Sequence, residues 1–281
     1  MASSFSSILL HPRAGAPGDR VIVFENIAIA FEDHVVLDGV SFELLCGETK
    51  IILGVAGAGK STLLKLALGL LKPDRGRIQV LGQDITEMPE DDLFALRRKM
   101  GMVFQESALF DSLTVRENVA YSLEEEHDLS REEIERRVRE ALRFVELEHT
   151  LDMFPDELSG GMRRRVAIAR AIVTQPEIVL WDSPTAGLDP VTSTTIIELL
   201  VKERDVDRTS ALMVTHRLQD AWVMATHLFD EKQNRMVEAR PEQLPQIRVS
   251  FLLLREGKVI FDGSAKELAE TRDEYIREFI A

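Results

Sequence analysis

One segment, Gly54-Val55-Ala56-Gly57-Ala58-Gly59-Lys60-Ser61, constrains the fold of this chain more than any other. It fits the pattern G-x-x-x-x-G-K-[ST] of a phosphate-binding loop. The preceding run, Lys50-Ile51-Ile52-Leu53, is apolar without helical spacing and reads as a buried strand. The stretch from Ser61 to about Gly69 reads as a helix. The glycines let the backbone turn tightly and aim its N–H groups at phosphate oxygens. The helix start favours negative charge at the same place. Lys60 is expected to reach the β- and γ-phosphates, and the Ser61 hydroxyl to ligate Mg²⁺.

The rest of the chain has the makeup of a globular protein. Its 281 residues are long enough to bury a full core, with 45% hydrophobic and 29% charged residues. No run approaches the ~18 apolar residues of a membrane span. A net charge of −14 argues against a general nucleic-acid binder. A single cysteine, Cys46, excludes an internal disulfide and a cysteine-built metal site. Residues 1–20 have neither a charged start nor a long apolar run, so they read as a flexible arm and not as a secretory signal.

Two alternating stretches, Val21 to Ala30 and Val36 to Leu45, predict strands, with Gly39 as a bulge. Phe31 lies between them. It is either a core residue or a platform for a nucleotide base, a contact worth roughly 1–3 kcal/mol. Lys72 to Gly76 is a turn, Arg77 to Val80 a strand and Leu93 to Lys99 a helix. Met102-Val103-Phe104 is apolar and ends at Gln105. From about Gln105 to Glu157 the chain reads as a helical insertion, with Ser130 and Glu133 as a capping box.

Leu158-Ser159-Gly160-Gly161-Met162 opens a helix running to about Thr174. Its free N–H groups make a second anion site, or Ser159 simply caps it. Arg163, Arg164, Arg165 and Arg170 on this helix read as a solvated basic face. Glu177 to Asp182 is an apolar strand ending in a carboxylate, the arrangement by which such sites hold Mg²⁺. Asp189-Pro190 starts a helix to about Arg204. A strand from Thr209 to Thr215 ends at His216, and Leu218 to Ala225 is a helix. Phe229 to Ile247 is polar, holds Pro241 and Pro245, and reads as an inserted surface loop. Val249 to Arg255 and Lys258 to Phe261 form a hairpin about Glu256-Gly257. Two short helices follow, and Tyr275, Ile276, Phe279 and Ile280 share one face of the last.

A phosphate loop, Gln105, L-S-G-G-M, a strand ending in Asp182, Asp189 and His216 occur in that order. This set resembles the ATP-binding subunit of ABC transporters over about Val21 to Gly263. Leu158 to Met162 is similar to the family's signature motif, with Met where Gln is usual. Ala186-Gly187-Leu188-Asp189 is similar to its D-loop, Thr215-His216 to its switch histidine, and Phe31 falls at its adenine-stacking position. The resemblance implies an α/β fold: a P-loop NTPase core of ABC type with an N-terminal antiparallel β subdomain and an inserted α-helical subdomain. It also implies an arm over 1–20 and an ATPase domain over 21–263, with the helical subdomain at about 105–158 and the inserted loop at about 229–247. A C-terminal helical extension covers 264–281.

The same resemblance implies ATP and Mg²⁺ as ligands and a head-to-tail homodimer. Each ATP would lie between Phe31, Gly54, Gly57, Ala58, Gly59, Lys60, Ser61 and Thr62 of one copy and Ser159, Gly160, Gly161 and Asp189 of the other. Ser61, Gln105 and Asp182 would hold the metal. Lys60, Gln105, Asp182, Ser183 and His216 would form the catalytic set. A narrower likeness, in Phe104 to Val119, in Leu158 to Ala167 and in the C-terminal Lys266 to Phe279, is to the MCE-linked, Mla-type phospholipid-transport ATPases. It implies a membrane permease and an MCE lipid-binding protein as partners, no nucleic acid, and a cytoplasmic place on the inner face of the cell membrane. One position departs from the family: Ser183 follows Asp182 where a Glu normally polarises the attacking water. A serine hydroxyl is not a general base at neutral pH without an activating partner.

Overall fold

The computed structural model describes residues 16, 18–125 and 129–280. The arm expected over 1–20 lies mostly outside them. Strands β1 (Arg20–Phe31) and β2 (His34–Leu45) pair antiparallel and bury alternate apolar residues. Their register shifts between the pairs Ile27↔Val40 and Ile29↔Leu37, so the bulge falls at Gly39, which has φ 76. Next come β3 (Thr49–Gly54), α1 (Lys60–Ala67), β4 (Arg75–Val80), β5 (Gln83–Asp84), α2 (Glu90–Arg97) and β6 (Met100–Val103). β2, β1, β4 and β5 form one antiparallel sheet in that order.

Two helices, α3 (Val115–Glu124) and α4 (Arg131–Phe144), precede α5 (Gly160–Ile172). Thr114 and Glu117 form a complete capping box at α3. At α4 only half of the expected box is present. Ser130 accepts from the Glu133 N–H, but the Glu133 carboxylate turns to Arg136 and Arg137. Val119, Leu123, Val138, Leu142 and Val166 join the three helices in one apolar core.

The chain returns to the main sheet through β7 (Ile178–Asp182), α6 (Pro190–Val206), β8 (Ser210–Val214) and α7 (Leu218–Thr226). The loop expected at 229–247 is partly ordered. β9 (His227–Asp230) and β10 (Arg235–Glu238) form a hairpin there, followed by a 3-10 turn at Leu244–Gln246. Asp230 accepts from the Lys232 and Gln233 N–H groups, and Asn234 takes φ 48, so turn chemistry closes the hairpin. β11 (Val249–Arg255) and β12 (Lys258–Ser264) complete a six-stranded sheet in the order β12-β11-β3-β8-β7-β6. All its pairings are parallel except β11 with β12.

β3, β7 and β8 are buried at every residue because both faces of this sheet are covered. The antiparallel sheet, α1 and α2 cover one face; the helices and the C-terminal segment cover the other. That segment, α8 (Ala265–Ala269) and α9 (Glu274–Ile280), docks through Ile276 with Tyr275, Phe279 and Ile280 beside it.

Candidate active site

Parallel strands bring their carboxyl ends to one edge, where open α/β sheets bind ligands. Here β3 ends at Gly54, β7 at Asp182, β8 at Val214 and β6 at Val103. The residues that follow are the phosphate loop, Ser183, His216 and Gln105. Ladder pairing places Asp182 opposite Val214, and Val214 opposite Ile52. Distant motifs become neighbours through β-sheet register alone.

The loop is built for close approach. Gly59 has φ 90, and a Cβ on it would sit 2.7 Å from Leu37 Cδ2. Only glycine fits both the conformation and the space. This contact also brings β2 against the loop, so the hairpin bearing Phe31 stands beside it. Phe31 is 45% exposed at the hairpin turn, free of the core. The Lys60 ammonium is buried and donates to Gly54 O and Val55 O, each at 2.8 Å. Burial lowers its pKa, and Asp182 nearby opposes the shift. Gly57 and Ala58 lie between these carbonyls and Gly59, with Gly57 at φ 78. Thr62 is half-buried in the first turn of α1.

Ser61 Oγ donates to Asp182 Oδ1 at 3.1 Å. Ser183 Oγ lies 3.4 Å from the same oxygen. Two hydroxyls and a carboxylate thus converge beside a lysine, a set of hard oxygen donors that fits Mg²⁺. Ser183 is buried and has φ 49, an uncommon conformation for a residue with a side chain. Its N–H donates to Val214 O at 2.8 Å, which pins the turn to β8.

The turn after Ser183 is held by a second network. Thr185 Oγ1 donates to the buried Asp220 carboxylate. Arg217 pairs with Asp220 at 3.5 Å and donates to Ser193 Oγ at 2.8 Å. The segment beside His216 is thereby joined to the Ser183 turn and to α6. His216 itself is exposed.

Ser159, Gly160, Gly161 and Asp189 lie together at the starts of α5 and α6. Ser159 caps α5, its hydroxyl accepting from Met162 N at 3.2 Å. Asp189 caps α6 by accepting from Val191 N and Thr192 N at 3.0 Å each. A Cβ on Gly161 would collide with Thr192 Cγ2, so glycine lets the two helix starts touch. Ser159, Gly160, Asp189 and Val191 are exposed together.

The α5 arginines depart from the solvated face expected of them. They do not form a solvated face. Arg164 is 4% exposed and donates to Phe104 O at 2.6 Å and to Gln105 O. Arg170 donates to Ser107 O and Ala108 O at 2.9 and 2.8 Å. Arg165 reaches Val145 O at 3.1 Å and Arg163 reaches Leu158 O at 2.5 Å. A signal was present: three consecutive arginines sweep ~200° of a helix, so at least one must face inward.

Comparison with known proteins agrees with this geometry. A domain model described as ABC transporter matches residues 37–186. A probable sulfate/thiosulfate import ATP-binding protein CysA of Chlorella vulgaris is 38% identical over 89% of this chain and 93% of its own length. The intermembrane phospholipid transport system ATP-binding protein MlaF of Haemophilus influenzae is 30% identical over 93% of this chain and 90% of its own. A solved dimer of the ATP-binding cassette MJ0796, in a post-hydrolysis state bound to ADP and Pi, is similar with a TM-score of 0.72. It is 30% identical and covers 86% of this chain and 98% of that one. Cassettes of this kind are ATPases, generally dependent on Mg²⁺, that dimerise and work with membrane permeases. This chain belongs to the ABC transporter family, as an ATP-binding motor subunit.

Proposed function

We propose that the chain drives phospholipid transport between membranes as a head-to-tail homodimer, together with a permease and an MCE lipid-binding protein. Likeness to MlaF along nearly the whole chain is the observation that carries the lipid reading. Likeness to sulfate/thiosulfate and methionine import subunits favours the alternative, an importer of a small solute. Transport assays of the purified complex with phospholipid vesicles, sulfate and methionine as cargo separate them. Lipid depletion from donor vesicles supports the first, and solute uptake without lipid movement rejects it.

For the ATP site, Lys60 leaves the carbonyls of Gly54 and Val55 for the β- and γ-phosphates. The N–H groups of Gly57, Ala58, Gly59, Ser61 and Thr62 cradle phosphate oxygens, and Phe31 stacks on adenine. Ser61, Asp182 and Gln105 would hold Mg²⁺, which when bound would supply charge to offset that developing on the phosphates. His216 contacts the γ-phosphate. Ser159, Gly160 and Gly161 act on the ATP of the other copy, with Asp189 beside them. Exposed Phe104, Phe110, Tyr121 and Phe154, at 36%, 44%, 43% and 40%, gather around the Gln105 loop and α3. Aromatics are the usual anchors of an interface, and here they offer one to the permease. Through it the motor would sit on the inner face of the cell membrane.

Ser183 sets the rate. Its neighbours form an ordered turn, so hydrolysis proceeds through positioning and electrostatics without a carboxylate base. Steady-state phosphate release should be slow in the wild type, and Ser183→Glu should raise kcat at least ~10-fold, a positioned base being worth ~10²–10⁴-fold. ATP affinity should change little. An ordinary transporter rate in the wild type, unchanged by Ser183→Glu, would show that another group is the base. A second reading, a regulatory subunit without catalysis, is favoured by Ser183 alone, and release no faster than from Lys60→Ala would establish it.

A further inference from the structure

Three segments of the catalytic edge meet at one side chain. Arg164 lies on α5, five residues beyond its cap Ser159. Its Nη1 donates to Phe104 O at 2.6 Å and its Nη2 to Gln105 O. Nη2 also lies 3.5 Å from Ala186 O, in the turn after Ser183. The partners are backbone carbonyls on the loops carrying Gln105 and Ser183.

The energetic setting argues against a role in stability. The guanidinium is almost wholly buried, and its Nε has no hydrogen-bond partner among the described residues. Among them it makes no ion pair; Glu106 and Asp182 act on it only through space. A buried charge held by neutral acceptors is costly, and an apolar side chain of similar volume commonly does better. A group that costs stability yet sits where catalytic loops meet is the pattern of a functional constraint. Arg170 extends the clamp. It holds Ser107 O and Ala108 O, whose residues take φ 65 and 48. Non-glycine residues persist in that region only when their surroundings impose it.

We propose, on the reading of the chain as an ATPase, that Arg164 is a positioning residue for hydrolysis. It binds the Gln105 loop and the Ser183 turn to the signature helix, so that the loops facing one chain's own ATP move as a unit with the helix start facing the other ATP. Arg170 sets the loop's shape, and Arg164 sets its place against the Ser183 turn.

The test compares Arg164→Gln and Arg164→Lys with Arg165→Gln, whose parent makes a similar carbonyl contact at 3.1 Å, to Val145 O, away from the site. Nucleotide affinity, kcat, KM and Tm are measured for each, alone and combined with Gln105→Ala. Arg164→Gln should lower kcat about 10–100-fold, the scale of loss from displacing a reacting group by ~1 Å. KM and ATP affinity should stay within about 3-fold. Arg164→Lys keeps charge but loses the fork, and should lose kcat in part. In the Gln105→Ala background Arg164→Gln should add little, since coupled residues are not additive. Arg165→Gln should shift Tm and leave kcat alone.

If Arg164→Gln does not fold, Arg164→Lys carries the same comparison. Wild-type kcat in a folded Arg164→Lys or Arg164→Gln protein overturns the proposal, and so does full additivity with Gln105→Ala. Wild-type protein that releases phosphate no faster than Lys60→Ala removes the ATPase reading itself, a distinct result.

Discussion

The two helix starts proposed to meet the nucleotide are built in opposite ways. α1 begins at Gly59 in a left-handed conformation, with no side-chain cap, and its lysine is folded back onto the loop's own carbonyls. α5 begins at Ser159 with an ordinary hydroxyl cap, exposed beside Asp189 and Val191. The first site is assembled within the chain, from β3, β7 and β8. The second is assembled from the starts of α5 and α6, where Gly161 packs against Thr192. A start that leaves its N–H groups uncapped is preorganised for an anion. A capped and exposed one is left open to solvent at its first turn. The difference supports the proposal that one chain carries half of each of two sites.

The contrast breaks most sharply at Lys60. Lys60→Ala removes the charge without disturbing α5, so nucleotide affinity in a titration should fall at least ~30-fold. Charge-assisted hydrogen bonds are worth ~1.5–3 kcal/mol each, and 1.4 kcal/mol is tenfold. Unchanged affinity would mean that the α1 half does not bind phosphate as described.

A subtler comparison places alanine at each cap. Gly59→Ala must hold φ 90 and meet Leu37 Cδ2 at 2.7 Å. The left-handed conformation alone costs ~1–2 kcal/mol and crowding adds to it. Ser159→Ala loses one cap, typically ~1 kcal/mol. In thermal melts without nucleotide, Gly59→Ala should lower Tm by several degrees and Ser159→Ala by about 2–4 °C. Equal or reversed shifts would remove the distinction between the two starts.

Sequence and structure agree where short local patterns fix conformation. The phosphate loop, the Asp182 strand end and the Ser159 cap each need particular residues at fixed spacing. The meeting of the first two at one edge follows from the pairing of β3, β8 and β7. Other features depend on what lies opposite. Arg164 and Arg170 look like a solvated face until the carbonyls of 104–108 are seen around them. The β9–β10 hairpin is hard to read in the sequence because its strands are four residues each and mostly half-buried, with little alternation. Its Asp230 turn and Asn234 were the available signals.

The most direct test of the two-halves account is mixing. Lys60→Ala keeps the α5 half, and Ser159→Arg keeps the α1 half but puts bulk and charge at the exposed helix start. Sedimentation velocity with a slowly hydrolysed ATP analogue measures association of each variant alone and of an equimolar mixture. The account predicts monomers for either variant alone and dimers for the mixture, since the mixed pair contains one intact site made of Lys60 from one copy and Ser159 from the other. Dimers of Ser159→Arg alone, or a mixture that stays monomeric while the wild type dimerises, would contradict it.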